Sequence, residues 1–246
     1  MTKRAWYLGH SPNDVGECAI LVGDPDRIDR IATRLFDPVF LPIKRGLKTV
    51  TGHYNGVRVS IAAFGMGSPI ATIVLHELAY LGLKRFVRIG TAMHFPPARP
   101  GEFMISQDAL SYEGTGGAYN RDGGKLTANE ELVTRLNAAA VRQGVIAHTG
   151  LFATFDAFYR DMFAIEDASQ GRVSTIRQTL HDKGVLATDM ETSALIAAAG
   201  DLGVASATLC LGTVDGISQE KLGSDPLAAG EARMFQIALD AITDKG

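Results

Sequence analysis

Two arginines in this chain stand where an apolar run gives out beside a glycine. Arg88, in RIGTA (88–92), interrupts an otherwise apolar strand-like segment two residues before Gly90, with the Thr91 hydroxyl just beyond. Burying a guanidinium without a counter-charge is costly, so its place in such a run points to a bound anion at the carboxyl edge of a sheet. Arg27, in GDPDRIDRIA (23–32), projects from the first turn of a helix. There Gly23 permits close backbone approach and free N–H groups suit a phosphate oxygen. The competing reading has Asp24 capping the helix and Arg27 pairing with Asp24 or Asp29. Arg45, in PIKRG, is a third candidate, although taken alone it reads as a solvated loop arginine.

Glu191 ends LATDME and opens the apolar helix ETSALIAAAGDLG. The helix dipole stabilises a carboxylate at that position, and a carboxylate is a natural acceptor for two vicinal hydroxyls; simple capping is the alternative. Together these pieces describe an anion pocket facing a polyol-binding helix. Asp215 ends TLCLGTVD and precedes Gly216, which places it either as a catalytic carboxyl at a sheet edge or as half of an ordinary Asp-Gly turn. Phe155, Phe158 and Tyr159 follow a strand and are fit to stack on a planar base or to pack in the core.

The elements that must position these residues alternate along the chain. CAILVG (18–23) is a buried-strand run, and Asp24-Pro25 starts a helix over 26–35. Strands over 47–54 and 57–64 flank Asn55-Gly56, a two-residue hairpin signal. Ser68-Pro69 opens a helix whose apolar residues Ile70, Ile73, Val74, Leu78 and Leu81 keep the 3.6 period. Strands at 86–90, 103–112, 145–155 and 205–214 and helices at 129–143, 192–202 and 226–242 complete the pattern. Long loops fall at 94–100, 113–125 (glycine-rich) and 216–225. Such alternation implies an α/β fold with a central mixed sheet covered by helices.

Composition narrows the function further. At 246 residues and 46% hydrophobic content, the chain suits one α/β domain over 1–246 with a sizeable core. A net charge of -3 excludes the basic field of a nucleic-acid binder, so an anionic ligand must be small and held by local arginines. Cys18 and Cys210 lie in apolar runs without ligand spacing and read as core thiols. The six histidines show no HExxH-type spacing, so no metal is expected, and GMGSPIA lacks the third glycine of a dinucleotide fingerprint. With no membrane span and no apolar leader, the expectation is a soluble, cytoplasmic protein.

VGDPDRIDRIA, GMGSPIATIVLHEL, RIGTA, TFDAFY and DMETSAL followed by TVDG, in that order, resemble the nucleoside phosphorylase-I family, which includes hexameric purine nucleoside phosphorylases, uridine phosphorylases and related nucleosidases. The likeness covers nearly the whole chain. It implies a three-layer α/β/α sandwich around a mixed, partly barrel-like sheet, and reversible phosphorolysis of an N-glycosidic bond with inorganic phosphate as co-substrate and no cofactor. It implies phosphate binding by Gly23, Arg27, Arg88 and Thr91, with Arg45 supplied by a neighbouring subunit of a dimer or of a hexamer built as a trimer of dimers. Met190 and Glu191 would hold the ribose, with Tyr7 in the place of a histidine that reaches from a neighbour and His10 nearby. Phe158, Ala92 and Met93 would border the base, and Asp215 would protonate a purine N7.

The chain also departs from the family pattern. Met162 and Ala164 stand near the positions where uridine phosphorylases read the uracil edge, which gives the resemblance a purine lean. Met93 replaces a glycine, Asp189 a glutamate, and Gly46 a metal-coordinating glutamate. A uridine phosphorylase with a rebuilt pocket, a hydrolytic nucleosidase and a non-catalytic nucleoside sensor are the alternatives.

Overall fold

The structure, a computed structural model, describes residues 3–244. Its strands are β1 (Cys18–Val22), β2 (Phe36–Phe40), β3 (Thr49–Tyr54), β4 (Val57–Ala63), β5 (Arg85–His94), β6 (Phe103–Tyr112), β7 (Leu126–Thr127), β8 (Ala147–Phe155), β9 (Val185–Asp189) and β10 (Ala205–Asp215). The helices are α1 (Asp26–Ala32), α2 (Ser68–Leu81), α3 (Gly114–Tyr119), α4 (Glu130–Arg142), α5 (Asp167–Asp182), α6 (Thr192–Asp201) and α7 (Ser224–Thr243), with a π-helical turn at Phe158–Met162.

One mixed sheet joins the strands in the order β10-β6-β8-β9-β5-β1-β4-β3-β2, and β10 also pairs with β5. That last pairing closes β5, β10, β6, β8 and β9 into a ring, while β1, β4, β3 and β2 fan out from it. The result is the partly barrel-like sheet of a three-layer α/β/α fold. Ile28, Leu136, Phe235 and Ile242 from α1, α4 and α7 fill the core on one face, and Val74, Leu75, Leu78 and Leu195 from α2 and α6 fill it on the other. The central strands are buried on both faces, as expected for parallel pairing under two helical layers; every residue of β1 is buried.

Local signals placed most elements. Asn55 and Gly56 take φ of 50° and 70°, the positive values a two-residue hairpin needs, and Tyr54 pairs with Val57 across it. The Asn129 side chain accepts the Leu132 N–H at 3.0 Å and starts α4. Several expectations need correction. The helix expected over 26–35 ends at Ala32 and leads into β2, an edge strand of wholly exposed residues whose Pro38 breaks the apolar alternation. The strand expected over 86–90 runs on to His94, because β10 pairs along its full length. The glycine-rich loop holds α3, capped by Glu113, whose carboxylate accepts the Gly116 N–H. Neither α5 nor β9 was expected from the sequence.

Candidate active site

A change of neighbours along β5 opens the site. One edge of β5 pairs with β10 throughout; on the other, Arg85–Ile89 pairs with β1, and only Met93 and His94 pair with β9. Between these partners, at Gly90–Ala92, no described strand pairs with that edge. A cavity of about 530 Å³ opens there, lined by Gly23 and Arg27 after β1, by Arg88 and Gly90–Met93 of β5, and by Thr188–Glu191 after β9. This is a crevice at a switch in strand order, beyond the carboxyl end of β1. Because β9 is antiparallel to β5, the residues after Thr188 return along β5 towards Arg88.

That return brings two carboxylates onto one guanidinium. Arg88 Nη1 lies 3.0 Å from Asp189 Oδ2 and donates to Cys210 Sγ at 3.1 Å, while Nη2 pairs with Glu191 Oε2. Burial alone would lower the Arg88 pKa, but Glu191 and then Asp189 outweigh it and push it above its ordinary value. Cys210, sealed in the same place, is pushed up to about 12 by burial and stays a thiol. Gly90 makes room for the fork: a Cβ there would stand 3.0–3.1 Å from the end of the Arg88 guanidinium.

The capping of α6 falls to Asp189 rather than to Glu191. Asp189 Oδ1 accepts from Thr154 Oγ1 at 2.9 Å and from the Thr192 N–H at 3.2 Å, and Oδ2 accepts the Thr192 hydroxyl at 2.5 Å. Glu191 is thereby free to face Arg88 and to accept the Gly67 N–H at 2.8 Å, at the start of α2. Arg27 pairs with neither Asp24 nor Asp29. Its Nε and Nη2 lie 2.9 and 2.7 Å from Glu231 Oε1, contributed by α7.

The far end of the cavity is apolar. The π-helical turn, closed by the Phe163 N–H donating to the Phe158 carbonyl at 2.9 Å, carries Phe158 and Met162 onto its wall, and Phe158 and Phe163 stack with centroids 6.1 Å apart. Met93 and Val214 complete this wall, and a register shift between Gly212 and Val214 lets both Thr213 and Val214 face the cavity. Asp215, the next residue, is not part of the lining. Its Oδ1 accepts the Ile217 and Ser218 N–H groups at 2.8 and 2.7 Å, forming the turn. Burial pulls its pKa up, but these hydrogen bonds, Ser218 foremost, hold it below the ordinary carboxylate value.

The phosphorylase superfamily model matches residues 17–238. The chain belongs to that superfamily. It is 30% identical over 240 residues to a guanosine phosphorylase of Halorubrum lacusprofundi, covering 94% of each protein. It is 31% identical over 230 residues to a purine nucleoside phosphorylase of the DeoD type from Caldanaerobacter subterraneus subsp. tengcongensis, covering 92% of this chain and 90% of that one. A uridine phosphorylase of Thermococcus kodakarensis shares 32% identity over 155 residues, which span 63% of this chain and 56% of that protein. The three names differ in the base they specify.

In this phosphorylase-superfamily chain, the cavity gathers Gly23, Arg27, Arg88, Thr91, Ala92, Met93, Phe158, Met190 and Glu191 from the sequence-derived site. Arg45 and Tyr7 lie elsewhere and face each other, the guanidinium carbon 4.9 Å from the ring centroid. His10 is buried, which lowers its pKa. Sequence reasoning missed the roles of Asp189 as cap and of Glu231 as partner of Arg27. The second had a signal, since Glu231 falls on the buried stripe of α7 with Met234, Phe235 and Ala238, where a lone acid calls for a counter-charge. Among the described residues no group of three or more His, Cys, Asp or Glu is placed to hold a metal ion, and no helix is long and apolar enough to cross a membrane.

Proposed function

We propose that the chain acts as one domain over residues 1–246, a phosphate-dependent nucleoside phosphorylase that prefers purine nucleosides and yields free base and ribose 1-phosphate reversibly. The observation that carries this reading is that one cavity gathers two arginines, a buried carboxylate and apolar Met93, Phe158 and Met162. Gly23, Arg27, Arg88 and Thr91 hold phosphate, Met190 and Glu191 hold the ribose, and Ala92, Met93 and Phe158 border the base.

Charge explains how such a cavity works. As the glycosidic bond lengthens, the sugar becomes oxocarbenium-like and the base gains negative charge, so a phosphate dianion and a proton donor at opposite ends both lower the barrier. A guanidinium has five N–H donors, so Arg27 and Arg88 can keep their carboxylates and still offer hydrogens to phosphate. In its turn, Asp215 is an ionised acceptor. Donation to the base requires it to leave the Ile217 and Ser218 N–H groups for the less polar surroundings of bound base, where its pKa rises. The purine lean rests on Asp215 and on Met162, which offers no polar group to a pyrimidine edge.

The same reading makes the enzyme a homo-oligomer, a dimer or a trimer of dimers. Arg45 and Tyr7 stack on each other outside their own cavity, in keeping with a role in a neighbour's site. The test is base release from inosine, guanosine, adenosine, uridine, thymidine and methylthioadenosine, each with and without phosphate. Phosphate-dependent cleavage of purines is expected. Cleavage of uridine alone would replace the purine assignment, release without phosphate would make the chain a nucleosidase, and binding without cleavage a sensor.

A further inference from the structure

The Arg27 guanidinium is held from one side only. Its Nε and Nη2 share the Oε1 atom of Glu231 at 2.9 and 2.7 Å, and the side chains are 10% and 8% exposed. Among the described residues Nη1 takes no partner from the chain, while Arg27 lines the cavity. Glu231 itself does not line it. Its second oxygen, Oε2, accepts from Arg30 Nη1 at 2.5 Å, and Arg30 is 44% exposed. The carboxylate is carried by α7, which packs on β1 and β5, the strands that bring Gly23 and Arg88 to the cavity, and the half-exposed Arg30 adds only a solvent-side contact.

From this geometry we infer that Glu231 is a positioning residue for the anion site: it grips one edge of the Arg27 fork so that the remaining N–H donors are presented to phosphate. A seven-residue helix gives an arginine side chain little support of its own, and an unheld guanidinium spends much of its binding energy on ordering its own side chain. The carboxylate also balances the arginine charge while the cavity is empty. This inference rests on the phosphorylase reading, and it concerns phosphate affinity rather than nucleoside recognition.

The experiment measures binding of inorganic phosphate by calorimetry, with separate KM values for phosphate and nucleoside, in the wild type and in E231Q, E231A, E231D and R30A. Loss of the outer partner of a metal ligand weakens metal binding roughly 10- to 100-fold, and a loss of that order is expected for a guanidinium held in the same indirect way. E231A should therefore raise the phosphate KM and Kd by that order with nucleoside KM nearly unchanged, E231Q, which keeps an Oε1 acceptor without the charge, should lose less, and E231D should recover part of the loss. R30A supplies the control, because a mere tie between α1 and α7 would be weakened by losing either partner. Wild-type phosphate affinity in E231A, or an equal loss in R30A, overturns the inference while leaving the phosphorylase reading intact. A wild type that neither binds nor consumes phosphate overturns both. Should E231A fail to fold, the similarly sized E231M, which offers Arg27 no carboxylate or amide oxygen, carries the test.

Discussion

Asp189 Oδ2 lies 3.0 Å from Arg88 Nη1, and the two side chains are 1% and 6% exposed. The same carboxylate caps α6 through Thr192 and is bonded by Thr154 of β8. Three elements of the barrel end therefore converge on one ion pair that solvent does not reach. Glu191 joins Arg88 from the other side, so the guanidinium is the counter-charge of two buried acids.

Arg88→Ala should consequently cost stability as well as activity. Stripping a buried carboxylate of its partner costs about 3–5 kcal/mol, and here two are stripped at once. Urea unfolding should give a loss of at least that order, together with abolished phosphate-dependent turnover. Arg88→Lys separates the effects, since it keeps a charge and loses the fork. It should recover much of the stability while phosphate affinity stays low; normal phosphate-dependent turnover in Arg88→Lys would remove the fork from the mechanism.

Gly90→Ala tests the same guanidinium from beneath. Its added Cβ would stand 3.0 Å from both Nη atoms of Arg88, closer than nearly all such contacts. The fork must shift by a few tenths of an ångström, which on the phosphorylase reading moves the group proposed to hold phosphate. The expected outcome is a raised phosphate KM and lowered kcat with cooperative unfolding retained. Unaltered kinetics would mean that the fork adjusts freely.

How far all this was legible in the sequence follows from how local each signal is. The hairpin at Asn55-Gly56, the Ser68-Pro69 helix start and the apolar run of β1 are fixed by residues next to one another, and they fall where the pattern puts them. β9 and α5 were not seen. VLATD is a short apolar stretch whose strand state depends on pairing with β5 and β8, and the polar face of α5 hides its stripe of Val173, Arg177 and Leu180. The cavity residues from the β1–α1 turn, RIGTA and Met190-Glu191 were legible because each motif is contiguous. The Glu231 contact spans 204 positions, and only a fold can bring it to Arg27.

Asp215 gives a pH-dependent prediction. Its pKa is held below the ordinary carboxylate value by N–H groups that bond the ionised form, so its contribution to stability is present above the unfolded-state pKa and is lost as pH falls through the folded one. Asp215→Asn keeps an Oδ1 acceptor for Ile217 and Ser218 without the charge. In urea unfolding, the wild type should be the more stable near neutral pH, and the gap should close below about pH 4, the ordinary carboxylate range. A gap that is constant with pH would show that the carboxylate charge does not matter to the turn. At neutral pH the same variant should slow purine release, because Asn has no carboxyl proton to give.

Arg177 is the reverse case, a buried cation with no ion-pair partner among the described residues. It is 7% exposed on the inward stripe of α5, its Nη1 is buried without a partner among the described residues, and burial lowers its pKa with no described carboxylate opposing the shift. An arginine whose folded pKa lies below its unfolded one subtracts from stability throughout the range where the unfolded chain is protonated, which includes neutral pH. The flexible, apolar Met fits the same stripe beside Val173, Leu180 and the cluster of Met93, Phe155 and Met162. Arg177→Met should therefore stabilise the fold by on the order of 1 kcal/mol, read from the urea midpoint at constant m-value. Nucleoside and phosphate KM should stay unchanged, because Arg177 does not line the cavity. A destabilised Arg177→Met, or one with altered base preference, would mean that the guanidinium has a partner in the working enzyme.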